Sequence, residues 1–238
     1  PADTVVSPAC GAFCDFSFIF VGTRYNGKIM NRSKILFFCA GAVLAALLVW
    51  WLSAGERPPA GESGKLSPLD VIMTRTSIRA YRDCPVGADT VELLLRAAMA
   101  APSAMNRQPW VFVVVDDKAL LQKFADSLQY AKMAASAPLA VVVCADLTRN
   151  PGASGDWWVM DASAASENLL LAAHAVGLGA VWTGVYPRSE RVKAVRTILG
   201  LPESVVPLNV IPIGYPAETP EPKQKWNPGN IRRNGWTR

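Results

Sequence analysis

The sequence is poor in the residues that most often bind metals or perform nucleophilic catalysis. It has one histidine, His174, among 238 residues, which argues against a histidine-based triad or a histidine-rich metal cluster. His174 lies in the apolar stretch LLLAAHAV, so we expect a core or interface residue. The five cysteines form no disulfide framework, and Cys10 and Cys14 lack a second pair of zinc ligands. Cys144, in LAVVVCA, is expected to be a buried small hydrophobic residue.

Charged residues are also scarce, at 18% of the chain, and no run of five basic residues occurs. The net charge of +5 comes from 24 basic and 19 acidic residues that are dispersed along the sequence. Dispersed charge argues against a nucleic-acid-binding surface. A small anionic ligand is a better reason for a few placed arginines. Hydrophobic residues make up 51% of the chain, which is enough to bury a core.

One long hydrophobic run, residues 35–52, carries no charge. A methionine and two basic residues precede it, so residues 30–54 are typical of a signal peptide or a signal anchor. We favour an uncleaved anchor because no A-x-A cleavage site ends the run, and a buried core helix is the alternative. Basic residues before the run favour a cytoplasmic N-terminus. The prediction is a protein that is membrane-anchored through residues 35–54.

A linker separates this run from the rest of the chain. Residues 55–66 are rich in proline, glycine and serine, as linkers are. The folded domain is therefore predicted to span residues 67–238. Residues 1–29 show no periodicity and are interpreted as an extension of uncertain origin.

Capping residues and apolar runs alternate within residues 67–238. Ser67 is a candidate N-cap for the first helix, and Asp89 and Glu92 are spaced as a capping pair for the second. Strands are predicted at 110–115, 139–145, 181–185 and 207–215, and further helices at 117–127, 156–176 and 188–199. Two helices precede the first strand and no GxGxxG motif is present, so we predict an α+β layered domain rather than a Rossmann sheet.

Two motifs carry candidate chemistry. Arg75-Thr76-Ser77-Ile78-Arg79 places a hydroxyl between two guanidiniums, which suits a phosphate dianion, although the same pattern also occurs on solvated faces. The segment Ala101–Trp110 contains prolines that fix a rigid loop, where Asn106 offers both a donor and an acceptor. This loop either contacts the pyrimidine edge of a flavin or is a structural loop with a capping asparagine.

Together these motifs resemble the nitroreductase family of FMN-dependent oxidoreductases. Supporting stretches follow in the expected order at 161–171, 177–184, 211–218 and 222–226. The resemblance covers residues 67–238. It implies a nitroreductase-like α+β layered fold, with a central mixed or antiparallel sheet flanked by helices. It also implies an obligate homodimer with FMN at the subunit interface, in which the small residues of helix 156–176 form the main dimer contact.

The resemblance further implies the residues that bind the cofactor. The phosphate and ribityl end of FMN is assigned to Arg75, Thr76, Ser77 and Arg79. The isoalloxazine ring is assigned to Pro102, Ser103 and Asn106, with Thr183 and Gly184 beside its central ring. The phosphate and the pyrimidine side are also assigned to Lys223 and Lys225. No side chain is required as a catalytic nucleophile or general acid, since the cofactor carries the chemistry.

The activity implied by the resemblance is electron transfer from NADH or NADPH to nitroaromatics, quinones or related small-molecule acceptors, in ping-pong order. The alternative is a membrane-tethered FMN-binding module that relays electrons without NAD(P)H turnover. Tyr130 lies where relatives vary their substrate lid. Trp110 and Trp182 are expected in the core.

Overall fold

A computed structural model describes residues 66–149 and 157–236. These residues form five α-helices, five β-strands and short 3₁₀ turns. The helices are α1 (Pro68–Thr74), α2 (Ala88–Met99), α3 (Lys118–Ser127), α4 (Trp157–Ala175) and α5 (Ser189–Leu199). The strands are β1 (Trp110–Val115), β2 (Leu139–Asp146), β3 (Gly179–Ala180), β4 (Thr183–Gly184) and β5 (Val205–Gly214).

Local capping explains where several helices begin. The Ser67 hydroxyl accepts from the Asp70 amide, and the Asp70 carboxylate accepts from the Ser67 amide, which confirms the predicted start of α1. The predicted capping pair of Asp89 and Glu92 is wrong. Helix α2 begins after Gly87, whose extended backbone caps without a side chain, and Glu92 instead forms an ion pair with Arg96 one turn later.

Every strand pairing in the described part of the chain is antiparallel. The sheet order is β1-β2-β5-β3, with β4 also paired to β5. The single strand predicted at 181–185 is replaced by β3 and β4, with a break between them. The break lies opposite Pro212 of β5, which has no N–H to donate to a neighbouring strand, and the Val181 amide lies 3.4 Å from the Pro212 carbonyl.

Helices cover both faces of this sheet. One layer packs α2 and α4 on alternate residues of the sheet, among them Val141, Val143 and Ile211. The opposite layer packs α3 and α5 on Val142 and Cys144 with their neighbours. Because both faces of β2 are covered, its sequence is a continuous apolar run rather than an alternation of apolar and polar residues. The predicted α+β layered fold is confirmed. Burial raises the pKa of the Cys144 thiol to about 12, as befits the predicted buried residue.

The predicted membrane-anchored localisation is contradicted. Among residues 66–149 and 157–236, no helix combines the length and apolarity that a membrane crossing requires. Helix α4, the longest of them with 19 residues, contacts α2 and the sheet with its buried positions. The segment 35–54, on which the prediction rested, lies outside the described residues.

Candidate functional site

The segment Arg75–Arg79 leaves α1 and runs beside β3. The Ile78 amide donates to the Ala180 carbonyl over 3.1 Å. Gly179 permits this close approach, because a Cβ atom at that position would lie 2.6 Å from the Ile78 Cβ atom. The backbone of the segment is therefore fixed against the sheet.

The chain that follows β5 holds the other side of this segment. The Glu218 carboxylate accepts from the backbone amides of Arg79 and Ala80, the latter over 3.1 Å, and the Ala217 amide donates to the Ala80 carbonyl. The Tyr81 hydroxyl lies 2.7 Å from the Ile78 carbonyl. Burial, reinforced by the negative charge of Glu218, raises the pKa of Tyr81, so its hydroxyl remains a donor.

Arg75 lies against helix α4. Its Nε atom is 3.4 Å from the Glu167 carboxylate, and 18% of the arginine side chain is exposed. Two turns further along α4, His174 Nε2 lies 2.9 Å from the Thr74 hydroxyl. Partial burial, followed by the positive charge of Arg75, lowers the pKa of His174. The C-terminal end of α1 is thus held to α4 by polar contacts at Thr74 and at Arg75.

A cleft of about 370 Å³ opens beside Arg79. Its lining combines two cations, an amide and two aromatic rings. The residues are Arg79, Gln129, Tyr130, Lys132, Met133, Val181 and Trp182. Val181 and Trp182 connect β3 to β4, so the cleft lies directly beside the strands that follow α4.

The predicted loop after α2 is held by a different contact. The buried Asp161 carboxylate of α4 accepts from the Ala104 amide over 2.9 Å. Within the loop, the Ser103 hydroxyl accepts from the Gln108 amide, and the Gln108 side chain donates to Asn106.

Three residues of this loop have a left-handed backbone. Their φ angles are 53° at Met105, 53° at Asn106 and 48° at Gln108. Such conformations are costly for residues other than glycine and tend to cluster at functional sites. Asn106 is exposed, so its side chain is presented to whatever approaches the loop.

Strand β4 brings together the last elements of the candidate site. The buried Thr183 hydroxyl donates to the Val210 carbonyl over 2.5 Å. The neighbouring Gly184 carbonyl accepts from Arg191 Nη1 over 3.1 Å. The nearest described atom to a Cβ built at Gly184 is Trp182 Nε1, at 3.9 Å. Thr183 therefore bonds within the sheet, whereas the backbone of Gly184 has open space beside it.

Lys223 and Lys225 lie in an exposed segment after β5. Within residues 66–149 and 157–236, neither lysine takes part in an ion pair. Neither lysine is among the residues that line the cleft. Their assigned roles remain predictions.

Comparison with a family model decides the classification. The model described as "Nitroreductase family" matches residues 72–132 and 126–215, which include Arg75–Arg79, the loop after α2 and strands β1 to β5. The chain belongs to the nitroreductase family.

Named relatives agree with this classification. A protein of Methanothermobacter thermautotrophicus, named "Putative NADH dehydrogenase/NAD(P)H nitroreductase", is 44% identical over 74% of this nitroreductase and 91% of its own length. A crystal structure of a protein of the same name from Parabacteroides distasonis has 47% identity and a TM-score of 0.68, covering 71% and 98% of the two chains. A nitroreductase structure from Desulfovibrio desulfuricans, described as a complex with FMN, has 29% identity and a TM-score of 0.62, covering 71% and 98%.

Some residues that line the cleft were not predicted from the sequence. Gln129 and Lys132 precede β2, and Trp182, which was expected in the core, is half-buried and lines the cleft. The prediction for Trp110 is confirmed, since it is buried. A cation and an amide shortly before a buried strand were the available signal for Lys132 and Gln129, but only the fold shows that they line the same cleft as Arg79.

Proposed function

We propose that this nitroreductase transfers electrons from NAD(P)H to nitroaromatic, quinone or related acceptors, using FMN bound between Arg75–Arg79 and the cleft. The observation that carries the proposal is the meeting of Arg79 and Lys132 beside the strands β3 and β4. The broader prediction, an FMN-dependent oxidoreductase with NAD(P)H as donor, is confirmed by the family match and the relatives.

The residues around Arg75 fit the phosphate end of FMN. A guanidinium and the hydroxyls of Thr76 and Ser77 lie on one segment whose backbone is fixed by β3. Arginine binds phosphate through charge-assisted bonds that are stronger than neutral ones. The Glu167 carboxylate, half exposed, holds Arg75 at this place and leaves its remaining guanidinium N–H groups for an anion.

The residues around the cleft fit the ring of FMN. Gln129 offers a donor and an acceptor to a pyrimidine edge, and the open space beside Gly184 lets its backbone approach a flat ring. FMN, when bound, supplies the hydride and electron transfer. The positive charges of Arg79 and Lys132 in a partly enclosed cleft stabilise negative charge on the reduced ring.

We further propose that NAD(P)H and the acceptor use this cleft in turn. A hydride from NAD(P)H brings two electrons and one proton, and a second proton from solvent completes the reduction of a quinone to a hydroquinone. No side chain must act as a nucleophile in this scheme. The chain's residues bind the reactants and orient them.

A homodimer is part of this proposal, and exposed apolar side chains support it. Leu69, Ile72 and Met73 on α1 are each more than half exposed, and Trp157 and Met160 are about half exposed at the start of α4. Exposed apolar groups in such number mark interaction surfaces. Some small residues of α4, among them Ala162 and Ala173, are buried within the protomer, whereas Ala164 and Ala172 are only half-buried. A dimer contact through α4 would use these half-buried positions together with its exposed first turn.

The proposal is tested first by absorption. The purified full chain is expected to show a flavin spectrum, and anaerobic NADH or NADPH should bleach it. A chain that stays colourless after incubation with FMN would contradict the cofactor assignment. A yellow chain that neither nicotinamide reduces would instead favour electron relay without NAD(P)H turnover.

The phosphate assignment is tested by the double substitution Arg75→Ala/Arg79→Ala. Loss of the charged contacts should weaken FMN binding roughly hundredfold, while circular dichroism shows the fold retained. Arg96→Ala is the matched control, since Arg96 pairs with Glu92 on the exposed face of α2. Equal FMN affinity in the double variant and the control would refute the assignment.

A further inference from the structure

Arg191 lies outside the cleft lining but contacts both strand β4 and one residue of that lining, Tyr130. Its Nη1 atom donates to the Gly184 carbonyl over 3.1 Å. The centre of its guanidinium also lies 5.3 Å from the ring centroid of Tyr130. One side chain of α5 thus contacts strand β4 and the turn after α3.

The position of Arg191 within its helix needs an explanation. It lies in the first turn of α5, close to the helix N-terminus, where the helix dipole disfavours positive charge. The contacts with Gly184 and Tyr130 provide that explanation. The charge-assisted hydrogen bond to the Gly184 carbonyl and the cation–π contact with Tyr130 offset the unfavourable interaction of the guanidinium with the helix dipole.

Tyr130 is the residue that depends most on this contact. Its side chain is 62% exposed, yet it lines the cleft together with Arg79 and Trp182. An exposed aromatic ring has few packing neighbours to fix its rotamer. The guanidinium of Arg191 lies over one face of the ring, which leaves the other face for a ligand.

We propose that Arg191 is a positioning residue that holds Tyr130 as an aromatic wall of the cleft and so favours flat aromatic electron acceptors. This inference rests on the proposed function of the cleft. Aromatic rings gain stability when they stack with an offset or meet edge to face. A fixed Tyr130 ring in the same lining as Trp182 provides such a surface for a quinone, whereas a small inorganic acceptor has no ring to stack.

The experiment compares Arg191→Met and Tyr130→Leu with the control Lys193→Met, which removes one charge from an exposed position of the same helix. Tyr130→Phe, which keeps the aromatic face, should raise the KM for a naphthoquinone less than Tyr130→Leu does. For the FMN-loaded enzyme with NADH, we expect the KM for a naphthoquinone to rise about fivefold in Arg191→Met and Tyr130→Leu, with kcat changed less than twofold. The KM for ferricyanide in Arg191→Met should match that in Lys193→Met, and the KM for naphthoquinone should stay unchanged in Lys193→Met.

A double variant separates positioning from a general structural effect. If Arg191 acts through Tyr130, Arg191→Met/Tyr130→Leu should raise the quinone KM no more than either single change, because coupled residues are not additive. Additive effects would overturn the proposal. The chain without FMN gives an independent measurement. Amide hydrogen exchange across residues 128–136 should be faster in Arg191→Met than in Lys193→Met, and equal exchange would also overturn it.

These outcomes are distinct from failure of the proposed function. If the unmodified chain binds no FMN or is not reduced by NAD(P)H, the proposed function fails, and the acceptor preference fails with it. If FMN binding and reduction are normal but the quinone KM is unchanged in Arg191→Met and Tyr130→Leu, only the role of Arg191 is refuted.

Discussion

Two segments of the candidate site, here called its first arm (Arg75–Arg79) and its second arm (the loop after α2), are held by different kinds of contact. The segment Arg75–Arg79 is fixed by main-chain bonds to β3 and by the Glu218 carboxylate. The loop after α2 is tied to α4 at Ala104 by the buried carboxylate of Asp161, and its backbone includes three left-handed residues. One arm is built into the sheet, and the other is a strained loop on a side-chain anchor.

This difference indicates where each arm is vulnerable. Main-chain pairing does not depend on side-chain identity, so the backbone of the first arm should tolerate most substitutions that leave the Glu218 carboxylate and the close contact between Ile78 and Gly179 intact. The loop should respond strongly to loss of Asp161. A strained conformation persists only where surrounding contacts determine it.

The largest effect is expected for Asp161→Ala. Removing the buried carboxylate leaves the Ala104 amide without its partner, and the loss of a bond to a charged group costs about 2 to 3 kcal/mol of unfolding free energy. Chemical denaturation measures this change. FMN affinity should fall as well, because the family resemblance assigns Asn106 of this loop to the isoalloxazine ring.

A matched control is Asp126→Ala, which removes an exposed carboxylate that accepts from Gln122 on α3. Its unfolding free energy should stay within about 0.5 kcal/mol of the parent. If Asp161→Ala proves as mild as this control, the loop is not anchored as the structure indicates.

A smaller effect is expected for Gly179→Ala. The new methyl carbon would lie 2.6 Å from the Ile78 Cβ atom, so the first arm must move away from β3. Such overpacking costs about 2 kcal/mol and should also weaken FMN binding, as measured by titration of the chain without FMN. Gly87→Ala, where nothing lies within 4 Å of the new carbon, should leave both properties intact. Equal behaviour of the two variants would disprove the close packing.

The smallest expected effect is on the pH dependence of stability, and it concerns only the contacts of the first arm with α4. Partial burial and the positive charge of Arg75 lower the pKa of His174 in the folded state. In the unfolded chain the same side chain binds a proton at about pH 6.5. The unfolded state therefore takes up more protons as the pH falls below this value, and stability decreases. In His174→Gln the fall in Tm between pH 7 and pH 5.5 should be smaller than in the parent. An identical fall would show that His174 does not contribute.

Local sequence signals predicted much of the fold. The Ser67–Asp70 capping box and the apolar runs of β1, β2 and β5 depend on neighbouring residues, so they can be read along the chain. Asp89 and Glu92 have the spacing of a capping pair, but Gly87 already begins the helix and Glu92 bonds to Arg96. Spacing alone does not decide between these alternatives.

Features that depend on distant residues could not be predicted in this way. The break between β3 and β4 follows from Pro212 in a strand that comes about thirty residues later in the chain. Arg79 and Lys132 line one cleft, and Arg191 makes its two contacts, only once α3, β4 and α5 have packed. The family resemblance predicted which segments belong to the candidate site, whereas the cleft was found only in the folded structure.

Asp161, Glu167 and His174 all stand on α4, so one element contacts both arms of the site. The axial rise of an α-helix places Asp161 and Glu167 about 9 Å apart along that axis and adds roughly 10 Å to reach His174. The interval between the arms is consequently set by residue count along a rigid rod instead of by loop conformation. A single residue inserted between positions 161 and 167 would turn one anchor about 100° relative to the other.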